Sequence, residues 1–451
     1  MKKKLVQLTA LFLTMATLTG CTFGKGSSEI KPSENPVVNS NVTVNYTMSE
    51  ETVNLTEGLT PSEVKSVAPD EKDIEALSKA SVKLASNVAN NAKGRNFLLS
   101  PTSINFALGM TENGAEGETL KQMEEIINGG IESEKMNQIM NYTSNKMEGA
   151  ADVDWNVANS VWFKDDGEMV MNPNFLEKVI SYYDSELYKA PFDQSTLNDI
   201  NGWVNKETRG MIPVILDSIS EETKMYLINA IAFEGEWEEK YEENDIRENY
   251  TFTNADGSET DVTMLYSKEN KYFTLGEGEG FVKNYKGGQY AFVGILPKEG
   301  QSTDEYLRFL DRSRADLAEA VKNARYEDVR TMIPEFKTDY DIELSDIYKE
   351  MNMERPFDPG HAEFDQMMEP AAGDTENYDI WISKIIHKTH IEVDRKGTKA
   401  AAATAVAMEV AGAMPIEEEI YYVYLDRPFV YAIVDKETGL PIFLGCQNSM
   451  N

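Results

Sequence analysis

Cysteine is almost missing. Only Cys21 and Cys446 occur in 451 residues, so no disulfide framework can hold the fold. Histidine is equally scarce. His361, His387 and His390 are the whole supply, which leaves little room for histidine-based metal or acid–base chemistry. Positive charge is short as well: 43 Lys and Arg stand against 77 Asp and Glu, a formal net charge of −34. Such a chain repels nucleic-acid phosphates and favours a solvated surface with basic or neutral partners. The sequence contains no G-x-S-x-G elbow, no phosphate-binding P-loop and no H-E-x-x-H pair, so nothing points to an enzyme or a cofactor.

Long apolar runs are missing too, with one exception. Residues 5–18 are apolar apart from Gln and Thr. The run is too short for a bilayer span, which needs about 20 residues. Behind Lys2-Lys3-Lys4 it has the length of a secretion-signal core. It closes in Leu18-Thr19-Gly20-Cys21, which resembles the bacterial lipobox, where the cysteine is lipidated and becomes the first residue. The expectation is a leader at 1–20 and a lipid on Cys21. The chain would then be held on the extracellular side of the bacterial cell membrane, or released from it. A plain secretion signal with an incidental Cys21 is the alternative. Residues 21–70 are rich in Ser, Thr, Asn, Glu and Pro without a sustained helical period and read as a flexible tether. Cys446, left without a partner, reads as a small buried apolar residue.

What is present is globular. Hydrophobic residues make up 41% and charged ones 27%, enough for a large core without staples. Residues 71–451 show no linker and no repeat. Ile74, Leu77, Val82, Leu84, Ala85 and Val88 form a helical stripe that ends in Asn90-Asn91-Ala92-Lys93-Gly94. Phe97-Leu98-Leu99 reads as a short strand. Ser100-Pro101 opens a second helix with Pro in its first turn, and 118–127 a third. Strands dominate later, at 225–233, 271–275, 290–296, 331–336, 381–394, 421–425, 429–434 and 442–445. Early helices and later strands predict an α+β fold with a large mixed sheet.

One segment is unlike the rest. Residues 397–407 are small, apolar and nearly uncharged. Alanine favours helix locally. Read with period two, Thr398, Ala400, Ala402, Thr404, Val406 and Met408 share one face, and Lys399 and Glu409 share the other. A strand with such a face can enter a sheet interior without burying charge.

Here the sequence resembles a serpin. Residues 96–104 resemble the family's strand into helix B, and Asn113-Gly114-Ala115 the turn beyond it. Residues 227–237, ending in Trp237, resemble a conserved strand of the central sheet, and Ile333-Pro334-Glu335-Phe336-Lys337 another. His387-Lys388-Thr389-His390-Ile391-Glu392-Val393 leads into Gly397-Thr398 and the alanine run, as in the family's hinge. Asp426-Arg427-Pro428-Phe429 and Phe443-Leu444-Gly445 match the C-terminal signature. The matches are in order and spread over 73–451.

The resemblance implies about nine helices around three β-sheets, with an exposed reactive-centre loop. It implies a monomeric suicide inhibitor of serine proteases. The protease acylates itself on the loop, and the cut loop inserts into the sheet. Gly397, Thr398, Ala400, Ala401, Ala402, Ala403 and Thr404 would be the inhibitory hinge. By the family's usual spacing the scissile bond falls at Ala411-Gly412, with Val410 the next choice before the cut. Small apolar residues there suit elastase-type enzymes; Met408 and Met414 leave room for a chymotrypsin-like target. Ser100, Ser103, Asn229 and His387 resemble the polar cluster under the sheet's opening, with Trp237 near its top. His387 and His390 fall on opposite faces of a strand and make no metal pair. One departure stands out. The family's acidic residue two before the hinge glycine is Arg395 here, so the usual pairing with a lysine is lost unless Asp394 substitutes. A non-inhibitory serpin serving as a surface carrier or binding module is the competing reading.

Overall fold

Regular structure begins earlier than the tether reading allows. The computed structural model describes residues 44–165, 169–220, 222–370, 380–398 and 419–450. Its first strand, β1 (Val53–Asn54), precedes α1 (Glu71–Ala92). Asp70 caps α1 by accepting the N–H groups of Lys72 and Asp73, while Asp73 returns a bond to the Asp70 N–H, a closed capping box. The expected apolar stripe is buried, and the helix ends where Lys93 turns left-handed.

β2 (Phe97–Leu99) runs into α2 (Pro101–Glu112). Ser100 caps that helix through the Ser103 N–H, and Pro101 sits where its missing N–H costs nothing. Every α2 residue but Asn105 is buried. There follow α3 (Gly117–Ile126), α4 (Ser133–Glu148), β3 (Val153–Lys164), β4 (Met169–Met171), α5 (Pro173–Tyr183), β5 (Glu186–Ala190) and α6 (Gln194–Glu207). The strand-rich half is β6 (Met225–Glu236), β7 (Ile246–Thr253), β8 (Glu259–Leu275), β9 (Gly278–Asn284) and β10 (Tyr290–Leu296), then α7 (Thr303–Ser313), α8 (Leu317–Lys322), β11 (Arg325–Pro334), β12 (Phe336–Glu343) and α9 (Ser345–Glu350). The chain closes with β13 (Met368–Pro370), β14 (Lys384–Asp394), β15 (Gly397–Thr398), β16 (Ile420–Tyr424), β17 (Phe429–Asp435) and β18 (Pro441–Gln447).

Among the described residues this is nine α-helices and three sheets, the α+β architecture expected. The main sheet has the order β1-β5-β3-β6-β15-β14-β12. The second runs β16-β11-β8-β9-β10-β17-β18-β2 with β7 on β8, and β4 pairs with β13. Helix α2 packs against β3 and β6 of the main sheet and β18 of the second, so it is the axle of the core. On the other face of the main sheet, α6 buries Ile200, Trp203 and Val204 against Trp162, Tyr188 and Tyr226. The run expected at 331–336 is two strands. Pro334 cannot donate to a further ladder position, and the chain passes there from the second sheet into the main one.

The tether is a correction. From residue 44 the segment is part of the domain. Val53 and Asn54 pair with Lys189 and Tyr188, and the Leu55 N–H donates to the Leu187 carbonyl at 2.8 Å. On α6, Asp199 accepts from the Tyr46 hydroxyl, the Ser49 N–H and hydroxyl, and the Thr52 hydroxyl. Burial pushes the Asp199 carboxyl up, and these bonds more than reverse it, leaving it below the usual range. The partners lie 147 to 153 residues away, so no local period announced them. The leader and Cys21 lie outside the described residues.

Candidate functional site

The site is the seam where β6 meets β14. Lower down the two strands pair directly and in parallel, from Lys384 opposite Tyr226 to His390 opposite Ala232. Above that they part, and β15 enters between them. Gly397 pairs with Asp394 on one side and Glu236 on the other; Thr398 pairs with Val393 and Gly235. The turn into β15 is set by Asp394, whose carboxylate accepts the N–H groups of Lys396 and Gly397 at 2.7 and 3.1 Å. Gly397 is required by closeness: a Cβ there would lie 2.1 Å from the Gly235 carbonyl oxygen. Thr398 is fully buried, and its hydroxyl meets the Tyr285 hydroxyl at 2.6 Å.

Trp237 locks the top. Its ring stacks on Tyr285 with centroids 4.7 Å apart. Its backbone N–H donates to the Lys396 carbonyl and its indole N–H to the Asp394 carbonyl.

Behind the lower seam lies a buried polar cluster. The Ser100 N–H donates to His387 Nε2 at 3.1 Å, so the ring proton is on Nδ1 and donates to Asn229 Oδ1. The Asn229 amide nitrogen donates to the Ser103 carbonyl at 2.7 Å and to Asn159 Oδ1. Ser100 Oγ donates to the Ile442 carbonyl, and Thr389 Oγ1 to the Leu98 carbonyl. Burial pushes the His387 imidazole down to about 3, so it is neutral at physiological pH. The cluster therefore ties β14, β6 and β3 to the β2–α2 junction without any charge.

Ser100, Ser103, Asn229 and His387 are thus brought together, with Trp237 and the hinge residues Gly397 and Thr398 higher on the seam. Ala400, Ala401, Ala402, Ala403, Thr404, Val410, Ala411 and Gly412 lie outside the described residues. His390 faces away from the cluster and bonds to Asp339 of β12 through Nδ1 at 2.6 Å. Asp394 does not replace the missing acid, because its carboxylate is spent on the turn. Arg395 donates instead to Glu335 from its backbone N–H and from Nε, at 3.2 and 3.0 Å. Lys283, buried near Trp237 and Tyr241, pairs with Glu269 at 2.9 Å. Sequence reasoning missed Asn159 and Thr389. Their signal is register alone: Asn159 stands opposite Asn229 in the β3–β6 ladder.

Residues 75–449 match the family described as Serpin (serine protease inhibitor). The chain belongs to the serpin family, whose members are in general protease inhibitors rather than enzymes. It is similar to the thermophilic serpin tengpin in its native state, with 37% identity and a TM-score of 0.80 over 88% of this chain and 100% of that one. Against the latent state of tengpin the values are 35% and 0.71, over 86% and 100%. An uncharacterized serpin-like protein of Thermococcus kodakarensis is 27% identical over 378 residues, covering 82% of this chain and 84% of that one. Neuroserpin of Mus musculus is 28% identical over 396 residues, covering 82% and 90%.

Proposed function

We propose that this serpin is inhibitory and traps serine proteases as a suicide substrate. The observation that carries the reading is β15, whose two residues already pair with both β6 and β14. Continued without a slip, the same register would set Ala400 between Phe233 and Ile391, Ala402 between Ile231 and Thr389, and Thr404 between Asn229 and His387. Small residues meet the crowded inner face, and the one hydroxyl meets the polar cluster. Insertion of some 15 residues, at roughly 1 kcal/mol per net hydrogen bond, is comparable with the whole stability of a domain. That is enough to distort a tethered protease. Without an aligned triad and oxyanion hole the acyl ester persists.

Ala411-Gly412 is the bond we assign to cleavage, with an elastase-like enzyme as target. The leader at 1–20 and a lipid on Cys21 would hold the inhibitor on the extracellular side of the bacterial membrane. Incubating the full chain with pancreatic elastase and running a denaturing gel tests this. A band at the summed mass, and a new N-terminus at Gly412, is the expected result. Complete cleavage by elastase, trypsin and chymotrypsin without a stable complex would overturn it and leave the carrier reading.

A further inference from the structure

One face of the second sheet is bare and aromatic. β16 is its edge strand. Val423 is fully buried, so Tyr422 and Tyr424 share the opposite face with Ile420. Tyr422 is 58% exposed and Ile420 41%, and the rings of Tyr422 and Tyr424 meet edge to face at 5.8 Å. The ladder carries this face inward. Tyr422 stands beside Arg330, and Arg330 beside Lys268; Tyr424 stands beside Met332, and Met332 beside Tyr266. The Arg247 guanidinium of β7 lies over the Tyr266 ring, 5.7 Å from its centroid. Arg247 and Lys268 are exposed and hold no ion pair among the described residues.

In a chain of charge −34, unpaired positive charge beside a tyrosine face is out of character. Exposed aromatic surface with arginine is the composition of interface hot spots, because a tyrosine ring gives contact area at little entropic cost. The place of this face says what covers it. Ile420 opens β16, and from Gly412 to Ile420 is eight residues of chain. They reach at most about 28 Å, whereas a protease domain is about 40 Å across. An enzyme on the Ala411-Gly412 bond is therefore within its own width of β16.

We propose that this face is a second docking surface for the target protease. It takes the side of the enzyme that receives the residues after the cut. That side presents apolar side chains to Tyr422 and Tyr424, and carboxylates to Arg247 and Lys268. The proposal rests on the loop being cut by a protease, and not on its insertion.

The test is the second-order rate at which pancreatic elastase consumes the loop of the full chain. Complex and cleaved chain are counted together on a denaturing gel. A chain that is cut without trapping still reports, so failed inhibition and failed docking are separate results. Tyr422→Ala should slow consumption about tenfold, and Arg247→Ser with Lys268→Ser about threefold. Molar salt should erase the second loss and spare the first. Phe309→Ala, at an exposed aromatic on α7, should change nothing. A Tyr422→Ala rate within twofold of the wild type overturns the proposal. So does equal slowing by Phe309→Ala. So does a Tyr422→Ala change from dimer to monomer in sedimentation with the rate kept, which makes the face a contact between copies. A loop left intact by elastase sinks the cleavage reading and the docking surface with it.

Discussion

The same two strands meet in two ways. In the lower seam β6 and β14 bond to each other, and the pins that hold them are side chains from behind: His387, Asn229 and Thr389. In the upper seam the strands stand apart, and the filler is backbone, the two residues of β15. Backbone groups are paired in both regions, as burial demands. The difference lies in what must be given up to change state. Extending β15 costs the lower seam a ladder that is replaced strand for strand, whereas the polar cluster must survive or be rebuilt around the newcomer. The upper seam is therefore governed by the size and charge of what enters, and the lower seam by hydrogen-bond completeness.

The sharpest way to break this contrast is at Thr398. Thr398→Arg puts an unpaired charge at a fully buried position against Tyr285, which the interior does not tolerate. Complex formation with the target protease should be lost altogether while cleavage of the loop continues; a gel with undiminished complex would show that the hinge seat is not needed. Asn229→Ala attacks the lower seam. It strands the His387 Nδ1–H and leaves Asn159 Oδ1 with the Ser103 hydroxyl alone, and should cost about 2–4 kcal/mol in denaturant unfolding.

Acidity separates two buried groups at opposite ends of α2. His387 sits below its ordinary value, so its contribution is full above pH 6.5 and is lost as pH falls toward 3. Glu112 has one oxygen without a partner and is pushed up by burial to about 8. Its contribution is full below pH 4.5 and is lost as pH rises toward 8. Each slope is about 1.4 kcal/mol per pH unit. The two cancel between pH 4.5 and 6.5, and stability should fall on either side. Glu112→Gln should abolish the alkaline fall and leave the acid one; an unchanged alkaline limb would refute the assignment. The smallest effect is expected at Arg395, whose side chain is 41% exposed in its pair with Glu335. Arg395→Ala should cost under about 1 kcal/mol, read as faster loss of monomer during prolonged mild heating.

Much of this was legible in the chain. Ser100-Pro101 marks the start of α2, and the apolar runs at 225–233, 290–296 and 429–434 fall inside β6, β10 and β17, because cap chemistry and burial are local. The hinge stands out by composition. Asn159, the Glu335–Arg395 pair and the docking of Tyr46 and Val53 were not legible. Each depends on which remote strand lies alongside, and no residue carries that information alone. The split at Pro334-Glu335 lies between: the proline was visible, but not that its two sides serve different sheets.

Trp237 gives the hinge a consequence of an optical kind. Its indole is flat on Tyr285, the residue that touches Thr398, and its N–H rests on the carbonyl of Asp394, where the turn into β15 begins. Both the stacking face and the hydrogen bond of one chromophore are therefore set by the hinge. Occupancy of the upper seam is written into the colour of a single ring, and a spectrometer can follow it in real time with no label attached.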